Sequence, residues 1–150
     1  MENYEVAKPI GRGNFGVVNL VKSLKDEKVF VMKVIDLNEL SKSEREGALQ
    51  EVKLLARLRH PFIVSYRESF LAKKNNLHIV MNYCEGGDLN TRIHNANGVY
   101  FSEEQVLDWF VQIALALQYC HHKKIIHRDL KSQNVFLTKK ENIRLGDFGI

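Results

Sequence analysis

Gly11, Gly13 and Gly16 run straight into Val17-Val18-Asn19-Leu20-Val21, and the character of the residues after the last glycine constrains the fold more than any other stretch. A G-x-G-x-x-G run serves two architectures. In the dinucleotide-binding one, the final glycine opens a helix and an acid stands about twenty residues on. Here the residues after Gly16 are β-branched and favour an extended chain. A polar turn at residues 25–28 leads into a second extended run, residues 29–35. The expectation is strand, glycine loop, strand: a hairpin lid over phosphates, not the opening of a dinucleotide fold.

Alternation along the second strand puts Val29, Val31, Lys33 and Ile35 on one face. A lysine among three β-branched apolar residues is costly unless it meets an anion, and phosphate oxygens with a partner carboxylate would satisfy it. That carboxylate is expected from the next helix. Ser43-Glu44-Arg45-Glu46 has the capping-box spacing, and the helix is predicted to run to about Leu58, stopping before Pro61. Its apolar stripe is Ala48, Val52, Leu55 and Leu58. Glu51 lies beside that stripe and can point inward, whereas Glu46 is assigned to the cap and Glu44 to the far end.

Residues 63–70 and 77–81 read as two further strands around the polar loop Lys73-Lys74-Asn75-Asn76. Five strands and one helix make a small first lobe, residues 1–81. Residues 82–87, Asn82-Tyr83-Cys84-Glu85-Gly86-Gly87, are a turn-rich crossing whose backbone could meet an adenine edge. Asp88 is placed to cap a short helix from Leu89. Ser102-Glu103-Glu104-Gln105 starts a long helix, on which Val106, Phe110, Ile113, Leu117 and Cys120 form the expected core stripe, interrupted by Gln112 and Gln118. Trp109 and Phe110 are read as packing residues.

The chemistry concentrates at the end. His127-Arg128-Asp129-Leu130-Lys131-Ser132-Gln133-Asn134 leads into Val135-Phe136-Leu137, a polar turn, and Leu145-Gly146-Asp147-Phe148-Gly149. Two acids and an amide stand at either end of a short apolar hairpin. Such a set can hold a divalent cation and orient a hydroxyl nucleophile at a polyphosphate.

Charge supports a protein surface with no nucleic-acid site. The 22 Lys and Arg are scattered in ones and twos among 18 Asp and Glu. The most apolar stretch, residues 109–120, is too short and amphipathic to span a membrane. Two distant cysteines, Cys84 and Cys120, and an N-terminus without signal-peptide character point to reduced thiols in the cytoplasm. The six histidines are dispersed and suggest no zinc site.

Glycine loop, V-x-K strand, inward Glu, hinge, H-R-D-L-K-x-x-N and D-F-G, in this order and spacing, resemble the eukaryotic protein kinases along the whole chain. Lys131, two after Asp129, resembles the serine/threonine group. Tyr83-Cys84-Glu85-Gly86-Gly87-Asp88-Leu89, Asp108-Trp109-Phe110-Val111-Gln112-Ile113, Lys131-Ser132-Gln133-Asn134-Val135-Phe136-Leu137-Thr138 and the ending Leu145-Gly146-Asp147-Phe148-Gly149-Ile150 are similar to the NIMA-related (Nek) kinases. The implied fold is α+β and bilobal: a five-stranded antiparallel lobe with one main helix, a hinge, and from residue 88 the first, mostly helical part of a second lobe.

The resemblance also implies roles, with ATP and Mg²⁺ as cofactors. The loop of Ile10, Gly11, Arg12, Gly13, Asn14, Phe15 and Gly16 would cover the ATP phosphates. Lys33 would contact them and pair with Glu51. Val18, Val31 and Phe136 would sandwich adenine, with Met81 behind it and Tyr83 and Cys84 at the hinge. Asn134 and Asp147 would hold Mg²⁺, Asp129 would accept the substrate proton, and Lys131 would steady the γ-phosphate. Phe148, His127, Leu55 and Tyr66 would stack internally. Val31 departs from the alanine usual in the V-A-I-K strand. Protein Ser/Thr hydroxyls are the implied substrates, and cytoskeletal, centrosomal or ciliary partners are implied by the resemblance alone.

A kinase domain continues past D-F-G into an activation loop, an A-P-E anchor and a helical platform. The sequence stops at Ile150, so an incomplete kinase domain, weakly active or inactive by itself, is expected. The alternative is a short non-catalytic ATP-binding or regulatory module. On the first reading, the missing helices would cover the 106–120 stripe.

Overall fold

The computed structural model describes residues 3–13 and 16–147. The chain forms two compact units. One comprises Met1–Arg57 and Ser65–Tyr83, the other Leu58–Val64 and Cys84–Ile150.

The first unit is an antiparallel five-stranded sheet with one main helix, as expected. Its strands are β1 (Tyr4–Gly13), β2 (Gly16–Ser23), β3 (Val29–Asp36), β4 (Tyr66–Ala72) and β5 (Asn76–Asn82), in the spatial order β1-β2-β3-β5-β4. Pro9 is tolerated because β1 is an edge strand, with an irregular register between Pro9 and Gly11. Central β5 is buried on both faces from Leu77 to Val80. The two faces feed separate cores. Phe30 and Met32 pack with Tyr4, Val21 and Val80 on one side. Ile35, Leu77 and Ile79 pack with Leu37 and Val52 on the other. Full burial of each such aliphatic side chain contributes about 1.5–3 kcal/mol.

The helix over the second face, α1, spans Lys42–Leu55. Its cap corrects the sequence reading. Ser41, not Ser43, is the N-cap: its hydroxyl accepts the Glu44 N–H at 3.3 Å, and the Glu44 carboxylate accepts the Ser41 N–H at 2.8 Å. Glu44 therefore closes the box, and Glu46 is exposed. Two S-x-x-E frames overlap here, and the earlier one satisfies the first amides of the helix. The helix ends at Leu55, with Leu58 buried in the second unit. The fourth strand is likewise shifted, beginning at Tyr66. Ile63 instead bridges Leu145 in parallel, which draws residues 58–64 into the second unit.

In the second unit, Asp88 caps α2 (Leu89–Asn95), its carboxylate accepting the Thr91 N–H at 2.8 Å. Ser102 caps α3 (Glu103–His122). A two-stranded sheet, β6 (Val135–Leu137) and β7 (Ile143–Leu145), comes after a single 3-10 turn at Ser132–Asn134. The buried stripe of α3 also corrects the expectation. Trp109, Gln112, Ala116 and Cys120 are buried, whereas Val106 is half exposed and Phe110 is 67% exposed. Two adjacent stripes of α3 are apolar, and the β6–β7 side selects the one that also supplies hydrogen bonds. Trp109 Nε1 donates to the Glu141 carbonyl at 2.9 Å, and Gln112 Oε1 accepts from the Ile143 N–H at 2.7 Å.

Candidate active site

In the first unit, strand register gathers the expected nucleotide residues onto one face. Directly opposed residues of an antiparallel pair share a face. Gly11 lies opposite Val18, Val18 opposite Lys33, Lys33 opposite Ile79, and Val31 opposite Met81. Val18, Val31, Lys33 and Met81 are partly buried there, and Ile10 and Arg12 are exposed along β1. Asn14 and Phe15 lie outside the described residues.

The glycines of this loop differ in what they do. A Cβ on Gly16 would stand 1.8 Å from the Val34 carbonyl oxygen, so only glycine lets β2 begin this close to β3. A Cβ on Gly11 would have the Val18 Cβ at 4.0 Å as its nearest neighbour. Gly16 is thus held by packing. Gly11 leaves open backbone, as a surface for phosphates requires.

Glu51 points inward from α1, one residue before buried Val52. Its Oε1 lies 4.0 Å from Lys33 Nζ, and both side chains are only 14% exposed. Two charges drawn this far out of water are stable only as partners. Leu55 is buried at the end of the same helix, and Tyr66 packs against the core beneath it. Tyr83 is partly buried at the end of this unit.

The second unit contains the acids. His127 is buried, with its Nδ1 accepting the Asp129 N–H at 3.3 Å and its Nε2 donating to the Gly146 carbonyl at 2.8 Å. Burial holds its pKa below the usual histidine value, in keeping with a neutral ring that donates from Nε2 alone. Asn134, also buried, donates from Nδ2 to the Asp129 carboxylate at 2.8 Å and to the Asp129 carbonyl at 2.9 Å. Its backbone carbonyl accepts the Gly146 N–H at 3.0 Å. Lys131 Nζ sits 2.8 Å from Asp129 Oδ2. Lys131 first and Asn134 second hold the Asp129 carboxyl below the ordinary aspartate range.

Two of the positive-φ residues among those described lie at or beside expected site positions. Arg128 and Asp147 have φ of 67° and 46°, values that L residues adopt at a cost of about 1–3 kcal/mol. Gly146 has no room for a side chain: a Cβ would lie 2.9 Å from the Phe136 ring and 3.0 Å from Val64 Cγ2. Phe136 is partly buried on β6, in register with Arg144. Cys84 is partly buried, and burial pushes its thiol up to about 11, so it stays protonated. Phe148 and Gly149 lie outside the described residues.

Asn134 and Asp147 suit Mg²⁺, a hard cation that takes one or two carboxylates together with phosphate oxygens. Both named bonds of the Asn134 side chain use its nitrogen, so the amide oxygen is the ligating atom it can offer. Gln112 is a buried, fully engaged polar residue that sequence reasoning missed. It reads as a break in the expected stripe. The signal is its i+3 and i−4 spacing from Trp109 and Ala116, which puts it on the buried face.

The family model for the protein kinase domain matches residues 4–150. The chain is 52% identical over 150 residues to serine/threonine-protein kinase Nek1 of Mus musculus, a match covering 100% of this chain and 12% of that protein. It is 50% identical over 147 residues to Nek4 of Mus musculus, with 98% and 19% covered. It is 48% identical over 151 residues to Nek5 of Homo sapiens, with 100% and 21% covered. The chain therefore spans about a fifth or less of these curated relatives.

Proposed function

This chain belongs to the protein kinase domain family, and from that premise we propose that it serves a serine/threonine kinase of the NIMA-related type, transferring the γ-phosphate of Mg-ATP to protein hydroxyls. The observation that carries the reading is the double engagement of Asn134. One residue orients the Asp129 carboxylate through its side chain and holds Gly146, next to Asp147, through its backbone. The proposed proton acceptor and the proposed metal ligands are thereby kept in one frame, as in-line phosphoryl transfer requires.

In this reading Asp129, ionised and held by Lys131 and Asn134, aligns the substrate hydroxyl and takes its proton. Lys131 steadies the γ-phosphate. The backbone of residues 11–16 covers the phosphates, and Lys33 meets them while Glu51 fixes its ammonium. By the resemblance, Val18, Val31 and Met81 in the first unit and Phe136 in the second are the residues assigned to adenine, and residues 82–87, with Tyr83 and Cys84, to the hinge. Mg²⁺, when bound at Asn134 and Asp147, neutralises charge on the phosphates. Protein substrates, a cytoplasmic setting and cytoskeletal partners belong to the same proposal, supported by the similarity to the Nek kinases and, for the setting, by two free thiols.

Calorimetric titration of the chain with ATP, with and without Mg²⁺, tests the reading. Lys33→Met and Asp147→Asn should each abolish Mg-dependent binding. In a protein showing turnover, Asp129→Asn should remove phosphate transfer while leaving ATP binding intact. Retained turnover would sink the role given to Asp129.

A further inference from the structure

β7 is three residues long, and its outer edge has two N–H groups to satisfy, those of Ile143 and Leu145. The segment of residues 58–64 serves one of them. Leu145 N–H donates to the Phe62 carbonyl at 2.9 Å, and the Leu145 carbonyl accepts the Val64 N–H at 2.9 Å. For Ile143 the acceptor is a side chain on α3: Gln112 Oε1, at 2.7 Å. Gln112 is 5% exposed, and its Nε2 is engaged as well, donating to Asp108 Oδ2 at 2.8 Å and lying 3.4 Å from Asn142 Oδ1. The side-chain amide takes the place of a further strand where residues 58–64 do not reach.

What this edge supports lies a few residues on. Leu145 precedes Gly146, whose N–H is held by the Asn134 carbonyl and whose own carbonyl is held by His127. Asp147 comes next, in a backbone conformation that tight surroundings must impose. A slip of β7 along β6 would carry Asp147 away from Asn134.

We propose that Gln112 is a positioning residue for the metal ligands: by locking the Ile143 amide to α3, it sets the register that brings Asp147 and Asn134 together. The metal half of this proposal rests on the function proposed above, and the bond to Ile143 does not. Such supporting residues commonly change metal affinity by about 10–100-fold.

The test compares the unmodified chain with three variants. Gln112→Leu keeps the size and removes the acceptor. It should speed amide exchange at Ile143 and raise the Mg²⁺ needed for half-maximal ATP binding about tenfold or more, with ATP affinity in chelator unchanged. Gln112→Glu keeps an acceptor but sets a second carboxylate against Asp108, and should be impaired similarly. Adding Asp108→Asn supplies an amide donor to Glu at position 112 and should restore the Mg²⁺ requirement, a reciprocal rescue that general loosening would not give.

Unchanged exchange at Ile143 in Gln112→Leu would overturn the proposal. So would equal losses of affinity with and without Mg²⁺, or a double variant no better than the single one. If the unmodified chain shows no Mg-dependent ATP binding, the functional reading and the metal half of this proposal fall together. That outcome is told apart from a failed brace by the exchange result, which needs no nucleotide.

Discussion

Asn134 reaches back to Asp129 and grips it twice, by carboxylate at 2.8 Å and by backbone carbonyl at 2.9 Å. Both bonds come from one buried amide nitrogen, so the side chain and the local backbone of Asp129 are fixed together. Lys131 adds a charge at 2.8 Å from the same carboxylate oxygen. The acid is thereby kept ionised and aimed.

That arrangement sets a pH dependence. Lys131 is the largest cause of the lowered Asp129 pKa, and a depressed carboxyl remains charged to lower pH than a free one. In a protein showing turnover, Lys131→Met should move the acidic limb of the kcat/KM profile upward in pH, toward the ordinary aspartate range. A limb that stays in place or moves down would detach it from Asp129.

Gly16 and Gly11 should separate stability from binding. Gly16→Ala forces its Cβ against the Val34 carbonyl, an overpacking that should destabilise the first unit by about 1–3 kcal/mol or more. Gly11→Ala meets nothing closer than 4.0 Å and should leave the melting temperature within a degree or two, roughly what an exposed substitution gives, while weakening ATP binding. Thermal melts and nucleotide titrations of the two variants read the contrast directly.

Lys33 and Glu51 are mutually dependent at 14% exposure each. Replacing either alone takes a counter-charge at 4.0 Å away from a largely buried charge. Lys33→Met should cost about 2–3 kcal/mol, below the 3–5 typical of a fully buried pair because the separation is long and some solvent reaches it. Lys33→Met with Glu51→Leu should lose less than the sum of the single losses. Additive losses in denaturant melts would show that the two charges do not stabilise each other.

Three histidines oppose acid. His60, His78 and His127 all have pKa values lowered chiefly by burial, so the unfolded chain takes up protons before the folded one does. Their contribution is fully present above the unfolded histidine value, near 6.5, and is lost as pH falls below it through the depressed folded values. Denaturant melts from pH 7.5 to 5 should show this loss. His78, stacked on Phe70 and set against the Met32 sulfur, gives the cleanest subtraction: His78→Leu should flatten the slope.

Local pattern makes much of this legible. β-Branched residues after Gly16, the lysine on a β-branched face, and caps at Asp88 and Ser102 each speak through neighbours in sequence. Other features depend on distant residues. Overlapping Ser41-x-x-Glu44 and Ser43-x-x-Glu46 frames carry equal local signals, and the choice falls to where α1 meets the sheet. On α3, two apolar stripes lie side by side, and the buried one is picked by hydrogen bonds to Glu141 and Ile143, residues far along the chain. Ile63 reads as strand because it is apolar and β-branched. Its actual partner, Leu145, is set by the same distant hairpin.

The parallel bridge of Ile63 with Leu145 has a consequence for the chain as it is made. Residues 58–64 and α3 both precede the β6–β7 hairpin in sequence, so each stands ready before Asp147 leaves the ribosome. The hairpin is too short to persist unaided, and it closes after them, on a template of segments earlier in the chain, residues 58–64 being far removed from it in sequence. Such non-local closure is slow relative to helix formation. The proposed phosphate-transfer centre is therefore assembled late, and a nascent chain should hold a folded sheet and helices well before it holds the complete candidate site.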